Sequence, residues 1–284
     1  MTTRARVVLL TALAMVAFAG NSVLCRLALA QTAIDAATFT TIRIVAGAVT
    51  LWLIVHARRG NVAGNWISGF ALFAYAAAFS FAYVWLSAGT GALLLFGSVQ
   101  ATMIGWGLAK GERLGGIQVA GLALALAGLV GLLLPGISAP SPAGSALMIG
   151  AGIAWGVYSL RGKGAGDPTG VTAGNFVRAV PFALAVSIVS LPAFSLDAWG
   201  IAYAVASGAL ASGVGYAIWY TALRGLSATR AATVQLSVPA IAAAAGVVFL
   251  AEQLTMRLVV ASVAILGGIA LVTGSPERRA RDRA

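Results

Sequence analysis

Apolar stretches follow one another along almost the whole chain, separated by short polar breaks. Each is long enough, at about 20 residues, to cross the hydrocarbon core of a bilayer as a helix. None alternates apolar and polar positions, as the strands of a membrane β-barrel would. The pattern predicts an all-α polytopic membrane protein whose ten transmembrane helices lie near residues 7–29, 36–56, 66–86, 90–109, 115–134, 143–160, 171–191, 198–222, 230–250 and 256–273.

The composition agrees with this pattern. Of the 284 residues, 60% are hydrophobic and only 9% are charged, which leaves too few polar residues to cover the surface of a soluble domain. The first span begins like a signal peptide, with Arg4 and Arg6 before an apolar run. Because the run continues to about Leu29 and contains Asn21 and Arg26, we expect it to be retained as the first helix.

Positive charge is distributed unevenly between the two sides that alternating spans create. If the N-terminus is cytoplasmic, the cytoplasmic segments hold Arg4, Arg6, Arg58, Arg59, Lys110, Arg113, Arg161, Lys163, Arg224, Arg230, Arg278, Arg279, Arg281 and Arg283. The loops on the other side hold only Arg257. Since lysine and arginine are enriched in cytoplasmic loops, both termini are predicted to be cytoplasmic (N-in/C-in) and the number of spans to be even. The net charge of +11 thus indicates topology and not a nucleic-acid partner.

The two halves of the chain resemble each other. Glu112 and Glu252 follow the fourth and ninth spans at an offset of 140 residues. Two pairs of arginines correspond at an offset of 135, namely Arg26 with Arg161 and Arg43 with Arg178. Chance similarity between helices rich in Ala, Gly and Leu is the alternative explanation, but the constant offsets and matching charges favour a true repeat.

Five spans in each half is an odd number, so the second half must enter the membrane upside down. The sequence therefore predicts two inverted five-helix repeats, residues 1–139 and 140–284, the second with a short basic cytoplasmic tail. Inverted repeats of this kind are typical of secondary transporters, whose substrate site lies near the midplane between the repeats.

The eighth and ninth spans include the stretches Ser207–Leu210, Gly215–Tyr220 and Leu223–Pro239, and the turn at Glu252 follows them. In these stretches the chain resembles the EamA-type branch of the drug/metabolite transporter (DMT) superfamily. The stretch from Ser87 to Glu112 is the matching copy in the first half. One departure is Val99, which occupies the position equivalent to Pro239.

The resemblance implies a ten-helix protein of the bacterial inner membrane, with a central cavity lined by spans 1–4 and 6–9 and with spans 5 and 10 packed behind. The chain is similar to bacterial exporters of amino acids, aromatic amino acids included. The expected function is export of small metabolites, amino acids above all, by alternating access. The expected partners are a small-molecule substrate and the lipid bilayer.

The spans lack groups that would couple transport to protons or hold a metal. All seven acidic residues lie in loops, at span ends or in the tail: Asp35, Glu112, Asp167, Asp197, Glu252, Glu277 and Asp282. Proton-coupled antiporters usually need a titratable group within the membrane, so facilitated diffusion or exchange is expected instead. The single Cys25 and the single His56 form no metal-binding cluster, and the sequence contains no Walker-type phosphate loop. No metal or cofactor is expected.

Polar and aromatic side chains within the spans are the candidate substrate-binding residues. They are Asn21, Phe79, Tyr83, Ser98, Trp155, Tyr158, Tyr216 and Gln235. Polar groups buried in lipid need hydrogen-bond partners, which a neighbouring helix supplies as well as a substrate does. Aromatic rings that face a cavity stack on planar or apolar groups, whereas rings at headgroup depth anchor the protein in the interface. The positions of Trp219 and Tyr220, close to a span end, favour the interface.

Arg43 and Arg178 lie about 10 Å inside their spans at 1.5 Å of rise per residue. Intramembrane arginines are costly and usually functional, which here suggests gating or contact with a substrate carboxylate. The alternative is that each anchors helix ends through backbone carbonyls. Pro181 and Pro239, also within spans, predict kinks that suit hinges between inward-open and outward-open states, although such kinks are equally ordinary in static membrane bundles.

Other functions and assemblies fit parts of the pattern. A broad-specificity drug or nucleoside exporter would have the same fold. A membrane-embedded enzyme would need convergent catalytic residues within the membrane, and because none is found the chain is not expected to be an enzyme. A channel or a structural scaffold is a further alternative, and the inverted repeat favours an alternating-access carrier over either. Gly121 and Gly128 allow close packing within one chain or in a homodimer, so monomer and homodimer are both compatible with the sequence.

Overall fold

The computed structural model describes residues 3–111, 113–136, 138–162, 166–226, 231 and 234–274. These residues form ten apolar helices and no strand. The helices are α1 (Thr3–Gln31), α2 (Ala36–Ala57), α3 (Trp66–Ala82), α4 (Ala88–Ala109), α5 (Gly116–Leu133), α6 (Pro142–Arg161), α7 (Pro168–Val189), α8 (Ala198–Leu223), α9 (Ser237–Leu250) and α10 (Met256–Gly274). Eight of them are long and apolar enough to cross a membrane, and α3 and α9 are shorter. The predicted all-α polytopic fold is confirmed.

Two helices differ in length from the prediction. The third ends at Ala82, because residues 83–86 form turns that lead into the N-cap of α4 at Ser87. The helix α9 begins at Ser237 after a turn at Leu236, whereas the sequence predicts one span from residue 230; residues 234 and 235, before the turn, are also helical. Several residues used in the sequence argument lie outside the described part of the chain: Glu112, Lys163, Arg230 and the charged residues of the tail after residue 274.

Short polar side chains begin most of the helices. Six N-cap residues accept a hydrogen bond from a backbone N–H of the first turn: Asp35, Asn65, Ser87, Ser141, Asp167 and Asp197. The first N–H groups of a helix have no partner within it, and lipid offers none. Three of the seven acidic residues therefore have a structural task at helix starts.

Asp35 and Asp197 also join two loops at one end of the bundle. Besides capping α2, the Asp35 carboxylate accepts a hydrogen bond from Ser195 N at 3.1 Å. Besides capping α8, the Asp197 carboxylate accepts one from Ala33 N at 3.2 Å. Burial alone would raise the pKa of Asp35, but the hydrogen bonds from Thr38, Ser195 and Ala37 outweigh it and hold the pKa below its usual range. Hydrogen bonds from backbone N–H groups likewise lower the pKa of Asp197.

The lowered pKa values of Asp35 and Asp197 predict that the protein loses stability in acid. A carboxylate whose pKa is lowered by folding stabilises the fold above its unfolded value, about 3.9, and loses that contribution as pH falls through the folded value. In detergent, the melting temperature is expected to fall when pH is lowered from 5 to 3. The fall should be smaller in the double variant Asp35→Asn/Asp197→Asn, which keeps an acceptor oxygen but no charge. Equal falls in both proteins would contradict this.

Most of the main contacts between helices are kept when each helix is exchanged with the one five places along the chain. Under this exchange the contact of α3 with α6 becomes that of α8 with α1, and the contact of α4 with α6 becomes that of α9 with α1. The α2–α8 contact becomes the α7–α3 contact, while the α2–α7, α4–α9 and α5–α10 contacts map onto themselves. Helices α5 and α10 pack chiefly against each other, and the other eight surround the centre.

Glycines bring α5 and α10 into backbone contact. A Cβ added at Gly121 would lie 2.6 Å from the carbonyl oxygen of Gly268, and one added at Gly268 would meet Gly121 O and Ala125 N. Gly128 packs in the same way against Ala264 and Ile265. Packing within one chain thus accounts for Gly121 and Gly128 without a second protomer.

Gly268→Val is expected to destabilise this helix pair by about 1–3 kcal/mol, because the backbone of α5 must move to admit the side chain. The measurement is the melting temperature in detergent, which should fall by several degrees. The matched control is Gly267→Val, since an added Cβ at Gly267 meets nothing within 4 Å. Similar shifts for the two variants would contradict the packing argument.

Candidate functional site

A cavity of about 390 Å³ lies between α1, α3 and α4 on one side and α6, α7 and α8 on the other. It opens at the end of the bundle where α6 ends, through a mouth lined by Asn65, Ser68, Ser159, Arg161, Gly162 and Pro168. Its floor, toward the opposite end, is formed by Asn21, Ser22, Tyr75 and Phe79. A second space, between α4, α5 and α10, measures only about 20 Å³ and has purely apolar walls. The larger cavity is the candidate site.

Four aromatic rings form a cluster in the middle of the cavity wall: Tyr75, Trp155, Tyr158 and Tyr216. The Trp155 ring is central, with centroids 4.8 Å from Tyr75, 5.2 Å from Tyr158 and 5.4 Å from Tyr216. The last two contacts are stacked, with interplanar angles of 28° and 26°. The cluster gives the cavity electron-rich faces suited to planar, apolar or cationic groups.

Hydrogen bonds fix the polar part of the floor. Asn21 Nδ2 donates to the Tyr75 hydroxyl at 3.2 Å, and Ser207 donates to Asn21 Oδ1 at 2.5 Å. Ser207 begins a π-helical stretch, Ser207–Val214, within α8. Wide turns of this type occur frequently at functional sites. The floor therefore joins α1, α3 and α8 through one chain of side chains.

A second chain of hydrogen bonds runs along the wall toward the mouth. Tyr158 OH donates to Thr172 Oγ1 at 3.3 Å, and Thr172 donates to Tyr220 OH at 3.0 Å. Asn175 Nδ2 donates to Tyr158 OH at 3.4 Å, while Asn175 Oδ1 accepts from Asn65 N at 3.0 Å. The wall thus presents hydroxyl and amide groups, which suit an uncharged or zwitterionic polar ligand.

The cavity lining carries positive but no negative charge. Among the lining residues, the single charged side chain is Arg161, which is exposed at the mouth. The four acidic residues within the described part of the chain (Asp35, Asp167, Asp197 and Glu252) all lie outside the lining. An organic cation would find no counter-ion in this cavity, so its electrostatics favour neutral or anionic groups.

The end opposite the mouth is closed by Arg26 and Glu252, here called the Arg26–Glu252 cluster. Arg26 Nε lies 3.3 Å from Glu252 Oε1, and Arg26 Nη1 donates to Tyr83 O at 2.8 Å and Val84 O at 3.1 Å. Glu252 accepts from Ala88 N at 3.1 and 2.8 Å. The cluster therefore ties α1 and the loop after α9 to the turn between α3 and α4.

Two residues complete this closed end. Ala251, with a left-handed φ of 52°, ends α9 and turns the chain so that Glu252 points back to α4. Tyr83 is fully buried below the cluster, with its ring edge-on to Phe79 at 4.7 Å between centroids. These two rings lie between the cavity and the Arg26–Glu252 cluster.

At the mouth, the counterpart of Arg26 makes much weaker contacts. Arg161 Nε donates to Ser68 Oγ at 3.2 Å and Arg161 Nη2 to Asn65 Oδ1 at 3.4 Å. Arg161 itself is exposed, whereas the side chain of Arg26 is only 22% exposed. Corresponding arginines thus lie in a closed cluster at one end and at an open mouth at the other.

Comparison with known proteins identifies the family. Residues 142–274 match the EamA-like transporter family. A protein of Pseudomonas aeruginosa, itself uncharacterized, is 56% identical over 270 residues, which cover 94% of each chain. The chain belongs to the EamA-like transporter family. The family predicted from the eighth and ninth spans is confirmed.

Two further matches give the family context. The threonine/homoserine exporter RhtA of Salmonella typhimurium is 35% identical over 129 residues, which cover 43% of this chain and 42% of RhtA. A crystal structure with 21% sequence identity superimposes with a TM-score of 0.65 over 92% of this chain and 98% of its own. At that identity the superposition supports the fold alone.

The structure brings most of the predicted binding residues of this EamA-family protein together. Six line the cavity: Asn21, Phe79, Trp155, Tyr158, Tyr216 and Gln235. Two do not. Tyr83 lies below the floor at the closed end, with its hydroxyl donating to Ala88 O at 3.3 Å. Ser98 is buried at the contact of α4 with α6, where its Cβ packs against Gly152.

The other predicted residues have separate positions. Arg178 donates to Ala63 O at 3.1 Å and Gly174 O at 2.9 Å, so it anchors the loop between α2 and α3. Pro181 lies inside α7, as expected for a kink. Pro239 lies in the first turn of α9, three residues after a turn at Leu236 that separates α9 from the helical residues 234 and 235, so its role as a hinge stays a prediction. Arg43 lies below the cavity floor, next to Tyr75.

Part of the cavity lining lies outside the set of binding residues that the sequence predicts. Phe18, Thr172 and Asn175 were not among the predicted binding residues, although all three line the cavity. Thr172 and Asn175 are three residues apart, hence on one face of α7, a spacing that marks a polar stripe on an apolar helix. Trp219 and Tyr220 also line the cavity rather than the headgroup interface, because α8 reaches the mouth at this depth.

Proposed function

We propose that this EamA-family protein exports small metabolites, amino acids first among them, as a secondary transporter that works by alternating access. The observation that carries the proposal is a central cavity that is open at one end and closed by an ion-paired cluster at the other. The lining of aromatic, amide and hydroxyl groups suits an amino acid. The 35% identity to part of a threonine/homoserine exporter supports the same class.

The charge distribution gives the direction. With N-in/C-in topology, the mouth beside Arg161 faces the cytoplasm and the Arg26–Glu252 cluster faces outward. The cavity is then inward-open, which is the state in which an exporter loads its substrate. The exchange symmetry of the helix contacts supports two inverted repeats, 1–139 and 140–284. Such repeats would open the opposite end by repacking against each other about the central site.

The size and charge of the cavity limit the substrate and the coupling. A volume of about 390 Å³ lies at the lower end of the range of small-molecule sites, about 300–1,000 Å³. The described residues of the lining include no carboxylate of the kind that usually exchanges protons in coupled transporters. We therefore propose facilitated diffusion or substrate exchange across a bacterial inner membrane.

The test is counterflow in proteoliposomes. Vesicles loaded with unlabelled threonine, methionine or phenylalanine should transiently accumulate the labelled form of the same amino acid above equilibrium, which a channel does not do. Empty vesicles and vesicles with heat-denatured protein are the controls. Absence of counterflow with all amino acids, in protein that is folded by gel filtration, would contradict the proposed substrate class.

A second candidate function is export of nucleosides or planar drugs. The stacked rings of Trp155, Tyr158 and Tyr216 favour it, because they accept a nucleobase as readily as an aromatic side chain. The same vesicles loaded with nucleosides separate the two candidates, since counterflow with nucleosides and not with amino acids would select the second.

A further inference from the structure

A buried cation lies directly behind the cavity floor. Arg43 of α2 is 2% exposed, and its guanidinium carbon lies 5.3 Å from the centroid of the Tyr75 ring and 4.7 Å from that of Phe79. Its Nη2 donates to the Tyr75 hydroxyl at 3.0 Å. Its Nη1 is buried and has no hydrogen-bond partner among the residues that the structure describes.

No carboxylate compensates this charge among the residues that the structure describes. The ion pair found there is Arg26–Glu252, and it does not include Arg43. A guanidinium carries five donors and stays charged, so taking it out of water is expensive unless an anion or several acceptors replace the solvent. Two aromatic faces and one phenol hydroxyl offset only part of that cost. Arg43 is therefore a buried cation with donor capacity left over.

The side chains of the cavity floor place the unused hydrogen-bond donors of Arg43 close to the cavity. The Tyr75 hydroxyl, which belongs to the lining, accepts hydrogen bonds from both Arg43 and Asn21. Arg43 is thus one hydrogen-bonded side chain behind the cavity surface. Asn21, whose amide N–H₂ points to the same hydroxyl, supplies a second donor at this point.

The corresponding arginine of the other half is satisfied. Arg178 donates to two backbone carbonyls and is partly exposed, as expected of a residue that holds a loop in place. If Arg43 had the same anchoring role, its donors would reach carbonyl oxygens in the same way. Its free Nη1 and its position below the floor instead indicate a site that lacks its acceptor.

We propose that Arg43, together with Tyr75 and Asn21, forms an anion-binding subsite that takes the carboxylate of the transported substrate. The proposal rests on the transport function and names the substrate class, small monocarboxylates including amino acids. A carboxylate that reaches the floor turns the Tyr75 ring aside and accepts the hydrogen bonds of the guanidinium. The ammonium group of an amino acid then lies over the Trp155 ring, whose face attracts cations.

The test compares ligands that differ only in the carboxylate. Binding of phenylalanine and phenylalaninamide, and of threonine and threoninamide, is measured by isothermal calorimetry on purified protein in nanodiscs. Wild type is expected to prefer each acid about tenfold or more, because charge-assisted bidentate hydrogen bonds are strong. In Arg43→Gln the acid and the amide should bind with about equal affinity. The affinity for the amides should change less than about threefold from wild type. Arg178→Gln, the matched control, should keep the wild-type preference.

Several results would overturn the proposal. One is an Arg43→Gln protein that folds normally and still prefers the acids as wild type does. If Arg43→Gln does not fold, Arg43→Lys gives the answer, because an ammonium cannot form the bidentate contact and the preference should fall severalfold. An unchanged preference in the lysine variant would exclude the subsite.

The experiment distinguishes an error in the proposed substrate class from an error in the proposed Arg43 subsite. If no amino acid binds to wild type, the amino-acid function is wrong, and the same comparison is made with 3-phenylpropanoate and its amide. An acid preference that disappears in Arg43→Gln would then support the subsite on its own. Equal binding of acid and amide in wild type, with every pair, would overturn it.

Discussion

Replacing Trp155 with alanine is expected to reduce amino-acid counterflow at least tenfold. The Trp155 ring contacts Tyr75, Tyr158 and Tyr216 and holds the middle of the cavity wall. Truncating such an aromatic anchor costs about 2 kcal/mol or more in protein binding sites, and 1.4 kcal/mol is already tenfold in affinity. The measurement is the initial rate of counterflow at low substrate concentration in proteoliposomes with equal amounts of inserted protein.

A matched control is available on the outside of the same bundle. Trp199, at the start of α8, is 70% exposed and faces away from the cavity, so Trp199→Ala should retain nearly full activity. Trp155→Phe, which keeps a smaller ring, should lie between Trp155→Ala and wild type. If both alanine variants lost activity equally, the loss would reflect tryptophan's role in membrane insertion, and the assignment of the site to the aromatic cluster would fail.

Glu252→Gln is expected to open the end of the protein that the Arg26–Glu252 cluster closes. The substitution keeps the shape and one acceptor oxygen for Ala88 N, but it removes the negative charge that holds Arg26 and strengthens the hydrogen bond from Ala88 N. Hydrogen bonds to charged groups contribute about 1.5–3 kcal/mol each, so the balance between closed and open ends should shift by about tenfold or more. Because Glu252 contacts Arg26 of α1 and Ala88 of α4, weakening both contacts frees the end of α9 from α1 and from α4.

The chain carries its own reporter for this opening. Cys25 is its only cysteine, adjoins Arg26 in α1 and is fully buried. Labelling of Cys25 by a membrane-impermeant maleimide, added to right-side-out vesicles, should be slow in wild type and about tenfold faster in Glu252→Gln. Arg257→Gln is the control, because Arg257 lies at the same end but bonds to Leu134 O and Pro135 O, away from the cluster. Equal labelling rates in all three proteins would mean that the cluster does not hold this end closed.

The sequence was informative wherever one local rule decides the structure. The ten helices follow from the length of each apolar run, because a bilayer admits little else. The starts of α2, α7 and α8 coincide with Asp35, Asp167 and Asp197, where a short carboxylate satisfies the free N–H groups of the first turn. The family was recognisable because the matching residues are consecutive.

The site was harder to predict because it depends on which end of the bundle is closed. Tyr75, Phe79 and Tyr83 share one face of α3 and its last turn, and periodicity cannot say where along that face the cavity ends. The structure places the boundary between Phe79 and Tyr83. Trp219 and Tyr220 are predicted at the headgroup region because they lie near a helix end, but they line the cavity. A position near a helix end indicates the headgroup region only when no cavity opens at that end.

A cavity that holds positive but no negative side chains also determines how transport responds to the membrane potential. The cytoplasm of a respiring cell is electrically negative, and outward movement of one negative charge gains about 2.3 kcal/mol for each 100 mV. If the proposed exporter takes an anionic monocarboxylate from the cytoplasm, the membrane potential would drive it outward without a coupled proton. A zwitterionic amino acid carries no net charge, so its direction follows its concentration gradient alone.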